Sequence, residues 1–257
     1  MHFGSYLILF FSFFAFVSQD ALGLDRAPVL RKLKHEYQTA NEAAQSIYRS
    51  AIMLEEQGDR RAQFAHIYAI TIAATVSQLK SKRFENPKWV EKLVVNYANL
   101  YRETLLLELK GRRDQLPLAW QKEFAYTDSP EWLATFDLIY GIKVHISRDL
   151  VEALYQTRTN YNDPSIRRDF FAITEILQSA MPYIWEVYRR HSNAMPIVST
   201  FTQSTVSEWI GRLRAQVWED ASNTHSQSDA FKAQKLSELD LEASVMGRRF
   251  GLMLLLL

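Results

Sequence analysis

Cysteine is absent from all 257 residues. Without a thiol, the chain has no cysteine nucleophile, disulfide, thiolate-bound zinc or iron–sulfur cluster. Glycine (8) and proline (7) are scarce, and no Asn-Gly turn or long Val/Thr-rich alternating run suggests a hairpin. Charge of one sign is also lacking, since 30 Lys and Arg balance 29 Asp and Glu in an interspersed pattern. No basic stripe points to nucleic acid, and no block of like charge points to a solvated tail. The common chemical signatures are missing: there is no G-x-S-x-G elbow, P-loop, G-x-G-x-x-G or H-E-x-x-H. The E-x-x-H pair of di-iron bundles is missing as well.

What is present is helical. Three X-Pro pairs, Asn86-Pro87, Ser129-Pro130 and Asp163-Pro164, read as N-caps followed by proline in the first turn. There an Asn, Ser or Asp side chain satisfies free N–H groups, and the proline loses no bond. Asp128 and Glu131 are spaced for a capping box. Between these marks the apolar residues recur every three to four positions. Phe64, Tyr68, Ile72 and Leu79 make one stripe, and Trp89, Leu93, Tyr97 and Leu100 make another. Ile139, Ile142, Ile146, Leu150 and Leu154 form a third, followed by Ile173, Leu177, Ile184 and Trp185, then Trp209, Leu213 and Val217. The pattern predicts an all-α fold, a single domain of seven or eight helices over residues 24–257, with breaks at Ser192–Thr205 and Ser222–Asp229. Pro182 is expected to kink or restart a helix.

The N-terminus carries a run of about a dozen apolar residues, Tyr6–Val17, followed by the small residues of Ala21-Leu22-Gly23. This is the length of a signal-peptide core before an A-x-A-like site, and it is too short to span a bilayer as a helix. The expectation is a signal peptide over residues 1–23, a secreted or periplasmic protein, and no stable membrane span after cleavage. No Lys or Arg precedes the run, which is atypical, so a retained anchor is the alternative. The apolar end Gly251–Leu257 is too short to span and reads as a helix end packed on the core.

Beyond that leader the chain holds five histidines: His35, His66, His145, His191 and His225. His145 and Asp149 stand four apart, so a helix carries them on one side, at the edge of the Ile139–Ile146–Leu150 stripe. A partly buried imidazole and carboxylate need a partner, which each can be to the other. In one reading the pair ties its helix to a neighbour within a non-catalytic binding or structural module. In the other, the carboxylate orients the imidazole as a general base, or the two bind one divalent metal ion. His66 is the candidate third ligand. Glu175 and Glu186, near Tyr183, are spare carboxylates, and Tyr97, Tyr101 and Arg102 are either pocket or core.

The segment His145-Ile146-Ser147-Arg148-Asp149-Leu150 resembles the His-Ile-Asn-x-Asp-Leu mark of a largely bacterial, all-helical family known only as a domain of unknown function, with Ser147 in place of Asn. Phe64–Thr71, Phe84–Trp89 and Glu208–Ala221 resemble its other segments in the same order. The resemblance implies a helical fold and weight on His145 and Asp149; it implies no reaction. The H-x-x-x-D spacing also resembles the zinc phospholipase C fold. This chain lacks that fold's further H-x-x-x-E/D pairs and N-terminal Trp, so a three-zinc site is not expected.

Overall fold

The computed structural model describes residues 25–129, 134–191 and 203–255. Every regular element among them is helical. In chain order these are α1 (Ala27–Leu33), α2 (Ala40–Glu55), α3 (Ala62–Lys80), α4 (Pro87–Leu109) and α5 (Leu118–Asp128). There follow α6 (Ala134–Val144), a π turn (His145–Asp149), α7 (Leu150–Thr157), α8 (Pro164–His191), α9 (Gln203–Thr224) and α10 (Asp229–Leu255). Because α6, the π turn and α7 form one continuous rod, there are nine helices among the described residues, close to the seven or eight expected from periodicity. The N-terminal segment, Ser129-Pro130 past its serine, Glu131 of the expected capping box, and most of the Ser192–Thr205 break lie outside the described residues. So do the side chains of the C-terminal apolar run.

Local chemistry sets the helix ends. Thr39 is extended and its hydroxyl accepts the Glu42 N–H, while the Glu42 carboxylate reaches back to the Gln38 N–H, so α2 starts on reciprocal caps. Asp163 caps α8 through the Ser165 N–H at 2.9 Å. Asn86 departs from its expected role. It precedes Pro87 without capping α4, and its amide instead donates to Ser165 Oγ and Asp169 Oδ2 of α8. Arg158 closes α7 in the left-handed region at φ 55°. Pro182 does not restart a helix: α8 runs through it to His191. One missing N–H is a local cost, and Met181 and Ile184, both buried, hold that turn against the core.

The core is continuous and centres on Trp120, Tyr101, Phe124 and Phe170, all essentially without solvent contact. Helix α3 crosses its middle. Ala62, Ala65 and Ala69 let its first half come close to α2, and this stretch is buried almost all round. On α4 the buried stripe is Val90, Leu93, Val94, Ala98, Tyr101 and Leu105. It is rotated by one position from the stripe read from the sequence, because α4 packs on α2 on one side and α7 on the other. Trp89, Tyr97 and Leu100 occupy its half-buried flank.

Candidate functional site

His145 and Asp149 meet, deeper than their place in the pattern suggested. They are 3 % and 1 % exposed, inside the core and not at its boundary. The reason is the π turn. The Leu150 N–H bonds to the His145 carbonyl, an i to i+5 bond, so the turn takes up an extra residue. Asp149 comes round almost beneath His145, and both face inward. His145 Nδ1 lies 3.0 Å from Asp149 Oδ2. The same oxygen accepts the Trp120 indole N–H at 2.8 Å, and Oδ1 accepts Arg148 Nη1 at 2.6 Å. Helix α5 presents Trp120 correctly because Asp240 of α10 caps its first turn, accepting from the Leu118 and Ala119 N–H groups. Pro117, at the capping position, has no side-chain oxygen to do so.

The electrostatics follow from this wiring. Burial lowers the His145 pKa below its usual value, against the opposing pull of the Asp149 hydrogen bond. Burial works to raise Asp149, but the hydrogen bond from His145 and the Arg148 charge outweigh it and hold the carboxyl below its usual range. An ionised Asp149 is acceptor-only, so the neutral imidazole donates from Nδ1 and keeps its lone pair on Nε2. That Nε2 is buried and has no hydrogen-bond partner.

Around the ring stands an aromatic cage. Tyr97 stacks on His145 with centroids 3.8 Å apart and planes 6° from parallel. Tyr68 and Phe64 of α3 meet it edge-on at 4.5 and 5.6 Å. The Tyr68 and Tyr97 hydroxyls are buried without partners, and burial pushes both well above the ordinary tyrosine range, so they remain neutral donors. His145, Tyr68 and Tyr97 line a cavity of about 100 Å³, which is otherwise mainly walled by Ile, Leu, Met and Trp side chains from α6, α8 and α9. A smaller space of about 40 Å³ shares Tyr68, Thr71, Tyr97, Leu177 and Arg214 with it.

The other residues singled out by sequence fall elsewhere. His66 is buried, but its Nε2 bonds to Glu55 of α2 at 2.8 Å, so it is not brought to the pair. Tyr101 packs in the core, and Arg102 donates to the Leu33 carbonyl. Glu175 pairs with Arg83 at the surface, and Tyr183 is 62 % exposed. Among the described residues no three His, Asp or Glu side chains converge as metal ligands. Asp149 Oδ2 already accepts two hydrogen bonds and Oδ1 one, and no third ligand joins the pair among the described residues.

Two participants escaped the sequence reading. Trp120 gave no signal, because its partner lies on another helix. Arg214 did give one. The buried stripe of α9 runs Val206, Ile210, Arg214, Val217 and Ala221, with an arginine where an apolar residue belongs.

No helix among the described residues is long and apolar enough to cross a membrane. No curated protein and no solved structure matches the chain. One family does, over residues 30–251, and, as the His145–Leu150 resemblance implied, it has no assigned function. The chain belongs to the family described as "Family of unknown function (DUF5995)".

Proposed function

We propose that this is an exported, hydrolase-like enzyme in which His145 is the general base, oriented by Asp149, for a small and largely apolar substrate held in the cavity. The observation that carries the reading is the free Nε2 of a buried, neutral imidazole whose other nitrogen is fixed by an ionised carboxylate. Nε2 accepts a proton from a water or hydroxyl nucleophile, Asp149 stabilises the resulting imidazolium, and the imidazolium returns the proton to the leaving group. Tyr68 and Tyr97 are donors for an oxygen that gains charge. The metal alternative has less support, because the donors present are too few and already bonded. A tether alone leaves the unpartnered Nε2 beside a cavity unexplained. Export rests on the apolar run Tyr6–Val17, and a secreted chain beginning near Leu24 is its expected product.

The test is hydrolysis of a panel of small chromogenic esters and amides by wild type, His145→Gln and Asp149→Asn. Loss of the general base lowers kcat by about 10²–10⁴-fold. The Asn variant, which holds the wrong tautomer, loses nearly as much. Equal turnover by His145→Gln and wild type would overturn the reading.

A further inference from the structure

Arg214 sits in the wall of the same cavity, 3 % exposed, in the middle of the apolar stripe of α9. Its Nε donates to Thr174 Oγ1 at 2.8 Å, and its Nη2 makes a long contact to the Phe170 carbonyl at 3.4 Å. The guanidinium carbon stands 4.5 Å over the Phe170 ring. All three partners are uncharged, and among the described residues Arg214 takes part in no ion pair. Burial lowers its guanidinium to about 10, which still leaves it protonated at neutral pH.

A buried cation without a counter-charge is expensive, and proteins ordinarily pair such groups. The other charge at this site is already balanced: Arg148 neutralises Asp149 and reaches Glu152 as well. Among the described residues Arg214 is therefore the uncompensated charge of the cavity. Tyr68 and Tyr97, whose hydroxyls have no partner, line the same two spaces. One cation, two neutral donors and apolar walls make a complementary set for one kind of molecule.

We infer that the cavity binds a small, mostly apolar molecule bearing a single carboxylate, with the carboxylate at Arg214 and the Tyr68 and Tyr97 hydroxyls, and the apolar body against Ile142, Ile146, Leu177 and Met181. The inference rests on the proposed function only in taking this cavity as the working site, and it supplies that site's ligand class. A carboxylate is favoured over a phosphate because one guanidinium cancels one charge. A dianion leaves net charge in an apolar space, where it is poorly tolerated. Two acidic oxygens in a plane also match the guanidinium fork.

The experiment measures binding of hexanoate to the protein by calorimetry, beside hexan-1-ol, hexylamine and hexyl phosphate as neutral, cationic and dianionic counterparts. Hexanoate is expected to bind about tenfold or more tighter than the alcohol and the phosphate, with no binding of the amine. Arg214→Gln is expected to bring hexanoate down to the level of the alcohol while leaving alcohol binding intact, and Arg214→Lys to retain part of the preference. The ligand series on wild type reads the charge preference even if Arg214→Gln fails to fold. Equal binding of alcohol and carboxylate, no binding of hexanoate, tighter binding of the phosphate, or an unchanged preference in Arg214→Gln each overturns the inference. His145→Gln separates this inference from the proposed catalysis. Binding retained in that variant with no hydrolysis lost sinks the general base and leaves the carboxylate site standing. Hydrolysis lost with hexanoate indifferent in wild type does the reverse.

Discussion

Two buried polar regions lie on either side of Phe64, and their charges are arranged in opposite ways. Toward the start of α3 and the ends of α4 and α5, Arg61 and Arg113 are enclosed by Asp59, Glu108 and Asp128. Arg61 Nε bonds to Asp59 at 2.8 Å and its Nη1 to Glu108 at 2.7 Å, and Arg113 Nε bonds to Glu108 at 2.8 Å. Charges there face counter-charges, and the cluster fixes where three helices end. At the cavity, the dyad faces inward to its own partners, Nε2 and two tyrosine hydroxyls have no hydrogen-bond partner, and Arg214 bonds only to uncharged groups. In the ion cluster Arg61 Nη2 and Asp128 Oδ1 also lack a hydrogen bond, but their side chains are paired with opposite charge, whereas Arg214 has no such pairing among the described residues. The difference between the two regions is therefore one of charge pairing.

The sharpest break of that comparison uses two arginines of equal burial. Arg61→Met strands Asp59 without its cation and leaves Glu108 to Arg113 alone, and is expected to cost about 3–5 kcal/mol in denaturant unfolding. Arg214→Met strands no carboxylate and removes a desolvated charge, so it is expected to leave stability within about 1 kcal/mol or to raise it. Comparable losses in the two variants would make Arg214 a structural residue like Arg61.

Trp120→Phe comes next in size. It keeps the aromatic bulk in the core and deletes one donor to Asp149. A hydrogen bond to a charged acceptor is worth about 1.5–3 kcal/mol, and that loss should appear as a lower unfolding midpoint with an unchanged denaturant slope. The dyad should loosen as well, so any hydrolytic rate would fall with it.

The fold was largely legible because helix periodicity and N-cap chemistry are local. Asp163-Pro164 starts a helix whatever surrounds it. The pair at His145 and Asp149 was legible from spacing alone, but its depth was not. The π turn is an i to i+5 choice made by packing against α4, α9 and α10, and an ideal helical wheel places those two residues wrongly around it. His66 misled for a similar reason. Its partner Glu55 belongs to the preceding helix, so sequence spacing showed only an isolated histidine. Arg214 lay in view, at the i+4 position from Ile210. The larger Trp209 and Leu213 drew the stripe one position round, onto a half-buried face.

Acid should tell the regions apart more gently. His145, held below its usual value, is neutral in the fold, whereas in the unfolded chain it takes a proton below about pH 6.5. Its contribution is therefore intact above that pH and is lost as pH falls toward the lower folded value. Asp149, also held low, adds a second loss below about pH 4. Melting curves of wild type and His145→Gln should converge as pH drops through the first window. Parallel curves would mean that the imidazole is not desolvated as its burial implies.

The smallest effects belong to two glycines, and they test whether the partition at Phe64 is rigid. A Cβ at Gly141 would meet Phe64 Cδ2 at 3.1 Å and Glu123 Oε1 at 3.3 Å. Phe64 packs against His145, and Glu123 lies on the side of the ion cluster, so the methyl presses on both regions at once. Neither neighbour yields easily: one is a caged ring, and the other is a buried carboxyl held by Thr127. Overpacking of this kind costs about 1–3 kcal/mol, and the gain in helix propensity from Gly to Ala returns at most about 1. Gly141→Ala should therefore come out destabilised by about 1 kcal/mol. At Gly211 the added Cβ meets only Gln178 Nε2 at 3.1 Å, the far end of a flexible side chain. There the propensity gain should survive, so Gly211→Ala should stabilise by about 0.5–1 kcal/mol. Opposite signs at these two positions would show a stiff wall at Phe64 and an adaptable one between α8 and α9. That is the arrangement a site needs if its base is fixed while its cavity accommodates a ligand. If Gly141→Ala were neutral, Phe64 would be free to move, and the cage would not hold His145 in place.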